Sequence, residues 1–257
     1  MSPRVTLLTD FATRDGYVGA MKGVLATLAP DALLDDVGHD VPAGDVWSAA
    51  WALGRYWSRY PEGSVHLVVV DPGVGTGRRA LAAEADGRLL VAPDNGVLTR
   101  VLSRASSWRC VEASDERWVA PRRSSTFHGR DVFAPAAGRL AAGLPLDELG
   151  PVVADPVTLE EPEPSRAGGE GRGEVVYVDT FGNLVTNLPG GWLDGVDGVE
   201  VGDRWVPPGV TYGAAPAGGL LALVNSDGLI EVALRDGSAA ELLKAERGTP
   251  VRLLARG

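Results

Sequence analysis

Apolar positions in the first hundred residues change between short continuous runs and helical spacing. Continuous runs such as Val65–Val70 are typical of buried strands, whereas Val18, Met21 and Leu25 recur at the spacing of one helix face. Pro30 then marks the end of that helix. The pattern predicts strands over 5–8, 32–37, 65–70 and 89–91, and helices over 18–28 and 46–60.

Strands that alternate with helices predict an α/β domain with a largely parallel sheet covered on both faces. In such sheets, ligands bind beyond the carboxyl ends of the strands. The predicted strands are followed at this end by Asp10, Asp71 and Asp94. A single aspartate there can simply start a turn, but three of them predict a site at one edge of the sheet.

The second part of the chain has a different pattern. Residues 159–173 are rich in Pro, Gly and charge, which is typical of a linker or a long surface loop. Short apolar runs separated by Gly- and Asp-rich turns follow, and they predict a small antiparallel sheet or barrel. The sequence therefore predicts an α/β domain over 1–158, a linker over 159–173 and a smaller, all-β domain over 174–257.

Composition narrows the possible partners. The formal charge of −10 and the pI near 4.8 argue against a general nucleic-acid binder, which needs a basic face to meet phosphates. The single cysteine, Cys110, excludes an internal disulfide and a Cys-x-x-Cys metal site, and we expect it to fill the core. No apolar run approaches a membrane span, and no leader segment opens the chain. We expect a cytoplasmic protein that binds no nucleic acid and no membrane.

Three segments combine glycines with polar residues in a way that the fold alone does not require. They are Asp71–Arg79, Ser125–Asp131 and Asp179–Asn187. The glycines of the first segment let backbone approach a ligand closely, although their spacing is neither the phosphate-binding loop nor the dinucleotide fingerprint. Taken singly, an aspartate before Pro-Gly, a loop arginine or a histidine at a helix start each has a common structural explanation.

Taken together, these segments resemble the S-adenosylmethionine hydroxide adenosyltransferases, the hydrolytic relatives of the fluorinase and chlorinase enzymes. The similarity includes Thr9–Phe11, Tyr17–Val24 and Pro93–Gly96, and it extends nearly to the end of the chain. It implies an N-terminal α/β domain, a C-terminal β-barrel and a homotrimer with the ligand between neighbouring subunits.

The resemblance also implies a reaction. Members displace methionine from the 5′ carbon of S-adenosylmethionine by in-line attack of a water-derived hydroxide, which releases adenosine and L-methionine. S-adenosylmethionine is then the substrate, and neither a cofactor nor a metal is expected. The catalytic Asp, Arg and His of the family fall on Asp71, Arg78 and His128.

Residue chemistry supports this assignment independently. A sulfonium leaves readily, so the difficult part is the nucleophile, because water has a pKa of about 15.7 in bulk. The permanently charged guanidinium of Arg78 would favour hydroxide, and His128 is suited to accept the proton near neutral pH. Asp71 would orient either partner and limit the positive charge facing a sulfonium. Our hypothesis assigns the hydroxide to Arg78 and the proton to His128.

Six residues are implied in substrate binding: Asp10, Asp15, Asp179, Phe181, Asn183 and Ser226. The two oxygens of Asp10 suit the ribose diol. Asn183 would read the adenine edge with its amide, and Phe181 would pack on the ring. The resemblance assigns the amino acid end of methionine to the remaining three, Asp15, Asp179 and Ser226.

Three alternatives stay open. A halogenase is disfavoured by the charged set around Arg78, because this set is the wrong lining for a desolvated halide. A metal-dependent hydrolase would use Asp10, Asp71, Asp94 and Asp131, yet these lack compact ligand spacing. A sensor that binds without turnover would not need the catalytic set. We expect His66 to be a structural residue.

Overall fold

The computed structural model describes residues 2–119 and 124–255. The chain divides into two compact units, Met1–Leu159 and Glu160–Gly257, and each unit is described here by itself. Across these residues, we find no helix with the length and apolar character that crossing a membrane requires.

Unit 1 is built around one six-stranded sheet. Its strands are β1 (Arg4–Thr9), β2 (Leu33–Gly38), β3 (Val65–Val69), β4 (Ala80–Ala85), β5 (Arg88–Pro93) and β6 (Trp108–Glu112). They lie in the order β2-β1-β3-β5-β4-β6, and β2, β1, β3 and β5 run parallel to their neighbours in that series. The predicted α/β fold with a mostly parallel sheet is confirmed.

Two strands at one side of this sheet were absent from the prediction. β4 and β6 pair antiparallel, β4 with β5 and β6 with β4. The sequence of β4, Ala80–Ala85, is mostly alanine, which has low strand propensity. Burial between β5 and β6 nevertheless makes it a strand, and Asp86 and Gly87, both at positive φ, form the tight turn that joins it to β5. The Asp-Gly pair is a local hairpin signal that the prediction did not use.

Helices cover both faces of the sheet. The helices of unit 1 are α1 (Tyr17–Leu28), α2 (Val46–Tyr56), α3 (Thr99–Leu102) and α4 (Ala134–Ala141). Alternate residues of β3 face opposite cores: Leu67 packs in a cluster with Met21 and Phe133, and Val68 packs in a cluster with Leu53. Cys110 is buried in the second cluster, as expected.

Unit 2 is an antiparallel, nearly closed barrel-like sheet, which confirms the predicted all-β domain. Its elements are β7 (Ser165–Ala167), β8 (Glu170–Val178), β9 (Leu184–Pro189), β10 (Val196–Val201), β11 (Arg204–Val206), β12 (Leu220–Val224), β13 (Leu229–Leu234), α5 (Ala239–Leu243) and β14 (Pro250–Ala255). The strands lie in the order β11-β10-β14-β8-β9-β13-β12, and β7 pairs with β8. A bridge between Pro208 and Ala222 brings the two ends of the sheet together.

The segment predicted as a linker, 159–173, differs in its second half. β7 lies within it, and β8 begins at Glu170, three residues before the predicted end of the linker. Gly171 and Gly173 suggested a flexible segment, but both lie in a ladder with β14. A Cβ atom at Gly173 would lie 2.1 Å from Asn187 Oδ1, so close packing requires glycine there.

Candidate functional site

The carboxyl ends of three adjacent parallel strands form one edge of unit 1. Asp10 follows β1, Asp71 follows the residue after β3, and Asp94 follows β5. Because β1, β3 and β5 are neighbours, the predicted convergence of the three aspartates on one edge is confirmed. Their carboxylates nevertheless have three different environments, and these environments separate their roles.

Asp71 holds Arg78 in a forked ion pair. Arg78 Nε donates to both carboxylate oxygens of Asp71, at 2.9 and 3.1 Å, and its Nη2 contacts Asp71 Oδ2 as well. Nη2 also lies 2.8 Å from Nδ1 of His128. The three residues predicted as catalytic are therefore joined in the order Asp71, Arg78, His128, with the guanidinium in the middle.

This order fixes the hydrogen-bonding role of one imidazole nitrogen. A guanidinium carries only donors, so His128 Nδ1 accepts from Arg78, and the neutral ring carries its proton on Nε2. Asp71 contacts the arginine and orients it, which decides between the two partners that the sequence left open for this carboxylate. The contact also holds the imidazole in one orientation.

Glycines allow the loop from Asp71 to Arg78 to pack closely. The loop contains two turns, with Val74 N donating to Asp71 O and Thr76 N donating to Gly73 O. Gly75 has a φ of +81°, and a Cβ atom there would lie 2.8 Å from the carbonyl oxygen of Ser125. Glycine at this position thus lets the arginine loop meet the segment that carries His128.

His128 directly precedes a π-helical turn, Gly129–Phe133, which continues into α4. Irregular turns of this kind are frequent at functional sites. A Cβ atom at Gly129 would lie 3.2 to 3.3 Å from Met21 Sδ and from ring atoms of Phe127 and Phe11, so glycine permits this tight approach. His128 is only 2% exposed, and the Phe133 ring lies 5.0 Å from the Arg78 guanidinium carbon.

Asp10 has one carboxylate oxygen in use and one available. Its Oδ2 accepts from Gly44 N at 2.8 Å. Its Oδ1 is buried without a hydrogen-bond partner. A buried acceptor of this kind is costly unless a donor reaches it. Of the three aspartates at this edge, Asp10 is therefore the one with a buried oxygen to which no described residue donates a hydrogen bond.

Asp94, in contrast, uses both carboxylate oxygens in structural contacts. Its Oδ2 accepts from Arg79 Nε at 2.6 Å, and its Oδ1 accepts from Val157 N at 2.7 Å. Arg79 also pairs with Asp155 at 2.9 Å. The two consecutive arginines therefore have different tasks, since Arg79 anchors the end of the loop and Arg78 reaches His128.

Asp15 lies outside this cluster of contacts. Its half-exposed side chain accepts from its neighbour Arg14 at 3.3 Å. It follows Phe11 and precedes Tyr17, whose rings form an aromatic group with Phe127 at centroid distances of 5.1 to 6.1 Å. Its predicted contact with the methionine end stays a prediction.

Unit 2 has a cavity of about 580 Å³ that contains two of the predicted residues. Its lining residues are Phe181, Asn183, Tyr212, Gly213, Leu234, Arg235, Asp236 and Gly237. Phe181 is 76% exposed, which is unusual for a large apolar ring and favours contact with a ligand. The sequence did not single out Tyr212, Arg235 or Asp236, because only the folded barrel brings them beside Asn183.

Asp179 organises the turn that carries these side chains. Its Oδ1 accepts from the backbone N–H groups of Phe181 and Asn183, both at 2.9 Å, and its Oδ2 accepts from Asn183 Nδ2 at 2.9 Å. The carboxylate thereby fixes which way the Asn183 amide points. Both oxygens of Asp179 are occupied in this way, whereas the sequence suggested a contact with a ligand ammonium group.

Ser226 is exposed in the turn between β12 and β13. The cavity contains residues from the other end of β13, starting at Leu234, so Ser226 is not among its lining residues. The turn is ordered by Asn225, whose Oδ1 accepts from Asp227 N at 3.0 Å and from Leu229 N at 3.1 Å.

His66, expected to be structural, has such a role. It is fully buried in β3, and its Nδ1 lies 2.9 Å from Thr6 Oγ1. Rings of Tyr56 and Tyr60 pack edge-on against it at about 5.5 Å. Burial lowers the pKa of His66 to about 4, so its ring is neutral at physiological pH.

Within residues 2–119 and 124–255, no group of three or more His, Cys, Asp or Glu side chains is placed to hold a metal ion. Asp131, one of the carboxylates considered for a metal, accepts from Arg130 Nε at 2.6 Å.

Comparison with known families gives two matches. The model of the SAM hydroxide adenosyltransferase N-terminal domain matches residues 5–150, and that of the C-terminal domain matches residues 173–252. The chain is 42% identical to the (R)-S-adenosyl-L-methionine hydrolase of Salinispora arenicola, over 99% of this chain and 98% of that protein. It is 44% identical to the enzyme of the same name from Thermus thermophilus, over 97% and 99%.

More distant relatives and solved structures agree with these matches. A fluorinase from an Actinoplanes species is 28% identical over 73% of this chain and 72% of that enzyme. The crystal structure of an uncharacterized conserved protein from Thermotoga maritima has a TM-score of 0.89 and 34% identity, over 97% of this chain and 99% of that one. The crystal structure of a conserved hypothetical protein from Thermus thermophilus has a TM-score of 0.81 and 43% identity, over 99% and 100%.

Proposed function

Because this chain belongs to the SAM hydroxide adenosyltransferase family, we propose that it hydrolyses S-adenosyl-L-methionine to adenosine and L-methionine. The observation that carries the proposal is the buried series of contacts from Asp71 through Arg78 to His128. A site that only binds a nucleoside does not need this series, whereas a site that must make hydroxide from water does.

The proton moves first. A water molecule beside Arg78 and His128 gives a proton to His128 Nδ1, and the Arg78 Nη2–H group turns from that nitrogen to the new hydroxide. An O–H bond breaks, an N–H bond forms, and the guanidinium stabilises the negative oxygen as it develops. Before the reaction, Arg78 Nη2 and His128 Nδ1 are 2.8 Å apart, so the hydroxide-stabilising donor and the proton acceptor contact the same water molecule.

Displacement follows at the 5′ carbon. A lone pair of the hydroxide forms the C5′–O bond in line with the C5′–S bond, and the electron pair of the broken C5′–S bond leaves with sulfur as the thioether of methionine. An imidazolium, a guanidinium and a sulfonium would then lie close together. The carboxylate of Asp71, buried against Arg78, offsets part of this positive charge.

Substrate recognition is assigned to both units. Asp10 Oδ1, buried and unpartnered, accepts a hydrogen bond from a ribose hydroxyl. Asn183, oriented by Asp179, reads the adenine edge inside the 580 Å³ cavity, and Phe181 packs on the ring. The methionine end is assigned to Asp15, Asp179 and Ser226, on the sequence resemblance.

Assembly, cofactor use and location are proposed on the same resemblance. We expect a homotrimer with its sites at subunit interfaces, located in the cytoplasm. We expect turnover to need neither a metal nor a cofactor. The charge of −10 is compatible with a cationic substrate.

Product analysis tests the function. The purified protein is incubated with S-adenosylmethionine, with and without chloride or fluoride, before and after exhaustive chelation, and the products are separated by chromatography with mass detection. We expect adenosine and methionine in equal amounts under every one of these conditions. A 5′-halo-adenosine would indicate a halogenase, loss of activity after chelation would indicate a metal enzyme, and binding without products would indicate a sensor.

A further inference from the structure

Glu231 is a buried carboxylate in the middle of β13. It is 4% exposed, and its chain neighbours Ile230 and Val232 are apolar and fully buried. A carboxylate among such residues is costly unless hydrogen-bond donors reach it. Two neutral side chains supply these donors, one to each oxygen. The two donors lie in different parts of unit 2.

The first donor is a residue that lines the cavity. Tyr212 lines the cavity together with Phe181 and Asn183, and its hydroxyl donates to Glu231 Oε1 at 2.7 Å. Burial, together with the bond to Glu231, raises the pKa of Tyr212 to about 12, so the hydroxyl stays a donor at physiological pH. The bond fixes the ring, which is otherwise about half exposed.

The second donor belongs to the turn that carries Ser226. Asn225 Nδ2 donates to Glu231 Oε2 at 3.3 Å. The other end of the same amide, Oδ1, accepts from the backbone of Asp227 and Leu229 and so shapes the turn. Glu231 therefore sets the orientation of the amide on which the geometry of the turn depends.

We propose that Glu231 is a positioning residue that aligns the cavity wall with the turn carrying Ser226. It would thereby support recognition of both the adenosyl half and the methionine half of the substrate, through one bond to each. The inference rests on the proposed function, which assigns the nucleoside to the cavity and the amino acid end to Ser226.

Four variants separate the hydrogen bond on the cavity side from the hydrogen bond on the turn side. Tyr212→Phe removes only the donor on the cavity side. Asn225→Asp keeps the acceptor for the turn but places a second carboxylate against Glu231. Glu231→Met removes both bonds at similar size, whereas Glu231→Gln can keep both, because its amide can donate to the Tyr212 oxygen and accept from Asn225. Glu200→Met is the matched control, since Glu200 lies on β10 and pairs with Arg252.

Calorimetric titration gives the readout, with adenosine alone and then with L-methionine at saturating adenosine. We expect Tyr212→Phe to raise the adenosine Kd about threefold to tenfold and to leave the methionine Kd unchanged, as a lost hydrogen bond predicts. Asn225→Asp should do the reverse. Glu231→Met should raise both constants, and Glu231→Gln and Glu200→Met should raise neither.

Two results would overturn the inference. One is a Glu231→Met variant that melts at a lower temperature but binds both ligands within twofold of the wild type, since Glu231 would then only support the fold. The other is a Glu231→Gln variant as weak as Glu231→Met, since charge would then be the acting feature. Hydrolysis of S-adenosylmethionine by the wild type is measured separately. If hydrolysis is normal and one of these two results is found, only the inference about Glu231 is rejected. If hydrolysis is absent and the expected binding pattern is found, only the proposed reaction is rejected.

Discussion

Two buried histidines of unit 1 have nearly the same exposure and very different surroundings. His66 is 0% exposed in the middle of β3, and His128 is 2% exposed at the start of the turn before α4. Each places Nδ1 within hydrogen-bonding distance of a partner. For His66 that partner is the neutral hydroxyl of Thr6, and for His128 it is a guanidinium held by Asp71.

The two surroundings separate a structural histidine from the histidine proposed as the base. Burial and one hydrogen bond are common to both residues, so neither feature indicates chemistry. Position and charge distinguish them: His66 lies within the sheet between two tyrosines, whereas His128 meets the loop that follows the carboxyl end of β3. A charged partner can stabilise a hydroxide, and a threonine hydroxyl cannot do so to a comparable extent.

The largest effect is expected at Arg78. Arg78→Lys keeps the positive charge but loses the fork that contacts Asp71 and His128 together. We expect kcat to fall about 10³-fold, as for the loss of a preorganised donor to a developing oxyanion. Steady-state kinetics check this, with Arg109→Lys, an exposed arginine paired with Glu84, as the control. A loss under fivefold would remove the guanidinium from the mechanism.

The same substitution at the two histidines tests the comparison directly. His128→Asn keeps an acceptor for Arg78 but cannot take up a proton, so we expect kcat to fall about 10²-fold. His66→Asn can keep a bond to Thr6, and we expect its kcat within about twofold of the wild type because the site does not use it. Equal losses in both variants would show that burial, and not the charged contact, determines the result.

Asp71→Asn is expected to have a smaller effect. The amide keeps one acceptor for Arg78 and loses the negative charge that offsets the cations of the site. We expect a 10- to 100-fold lower kcat, from about 1 to 3 kcal/mol of lost transition-state stabilisation. Asp155→Asn, at an exposed partner of Arg79, is the control. A variant as active as that control would leave Asp71 without a catalytic contribution.

The titration of His66 is expected to change the stability of the protein at acidic pH, and to leave catalysis unchanged. Burial lowers its pKa to about 4, whereas the unfolded chain binds the same proton near the ordinary value of about 6.5. The unfolded state therefore gains protons first as the pH falls, and the free energy of unfolding drops between about pH 6.5 and 4, by on the order of 3 kcal/mol.

Denaturant unfolding at several pH values measures this drop. His66→Phe removes the titrating ring and fills the space between Tyr56 and Tyr60, so its stability should vary less with pH over the same interval. An identical pH dependence in the variant and the wild type would assign the acid sensitivity to other groups.

Much of the catalytic edge could be predicted from the sequence, because its signals are local. Asp10, Asp71 and Asp94 each follow an apolar run, and parallel strands bring such ends together. Local pattern alone does not distinguish Arg78 from Arg79, because their roles depend on which carboxylate each one meets after folding, and the choice of Arg78 came from the family resemblance. It also grouped Asp94 with the site, whereas in the folded protein this carboxylate holds Arg79 and the backbone of Val157.

Unit 2 was harder to predict in detail, because its contacts join distant parts of the chain. Tyr212, Asn225 and Glu231 meet only when β12 and β13 pair and the preceding turn folds against them. In the sequence, Glu231 is simply a polar residue in an apolar strand. Asp179 illustrates the reverse case: the motif was visible, but only the structure shows its carboxylate engaged within the turn.

The origin of the new oxygen in the product shows whether a water-derived hydroxide attacks C5′. The wild-type protein is given S-adenosylmethionine in ¹⁸O-labelled water, and the adenosine is analysed by mass spectrometry with fragmentation of the ribose. Attack of a water-derived hydroxide on C5′ predicts one ¹⁸O atom, at the 5′ hydroxyl, in the adenosine formed by the wild type, and a greatly reduced rate of the same labelled product with Arg78→Lys. Adenosine without the label would exclude attack by water on C5′, and labelled product formed equally fast by the variant would exclude Arg78 from the step.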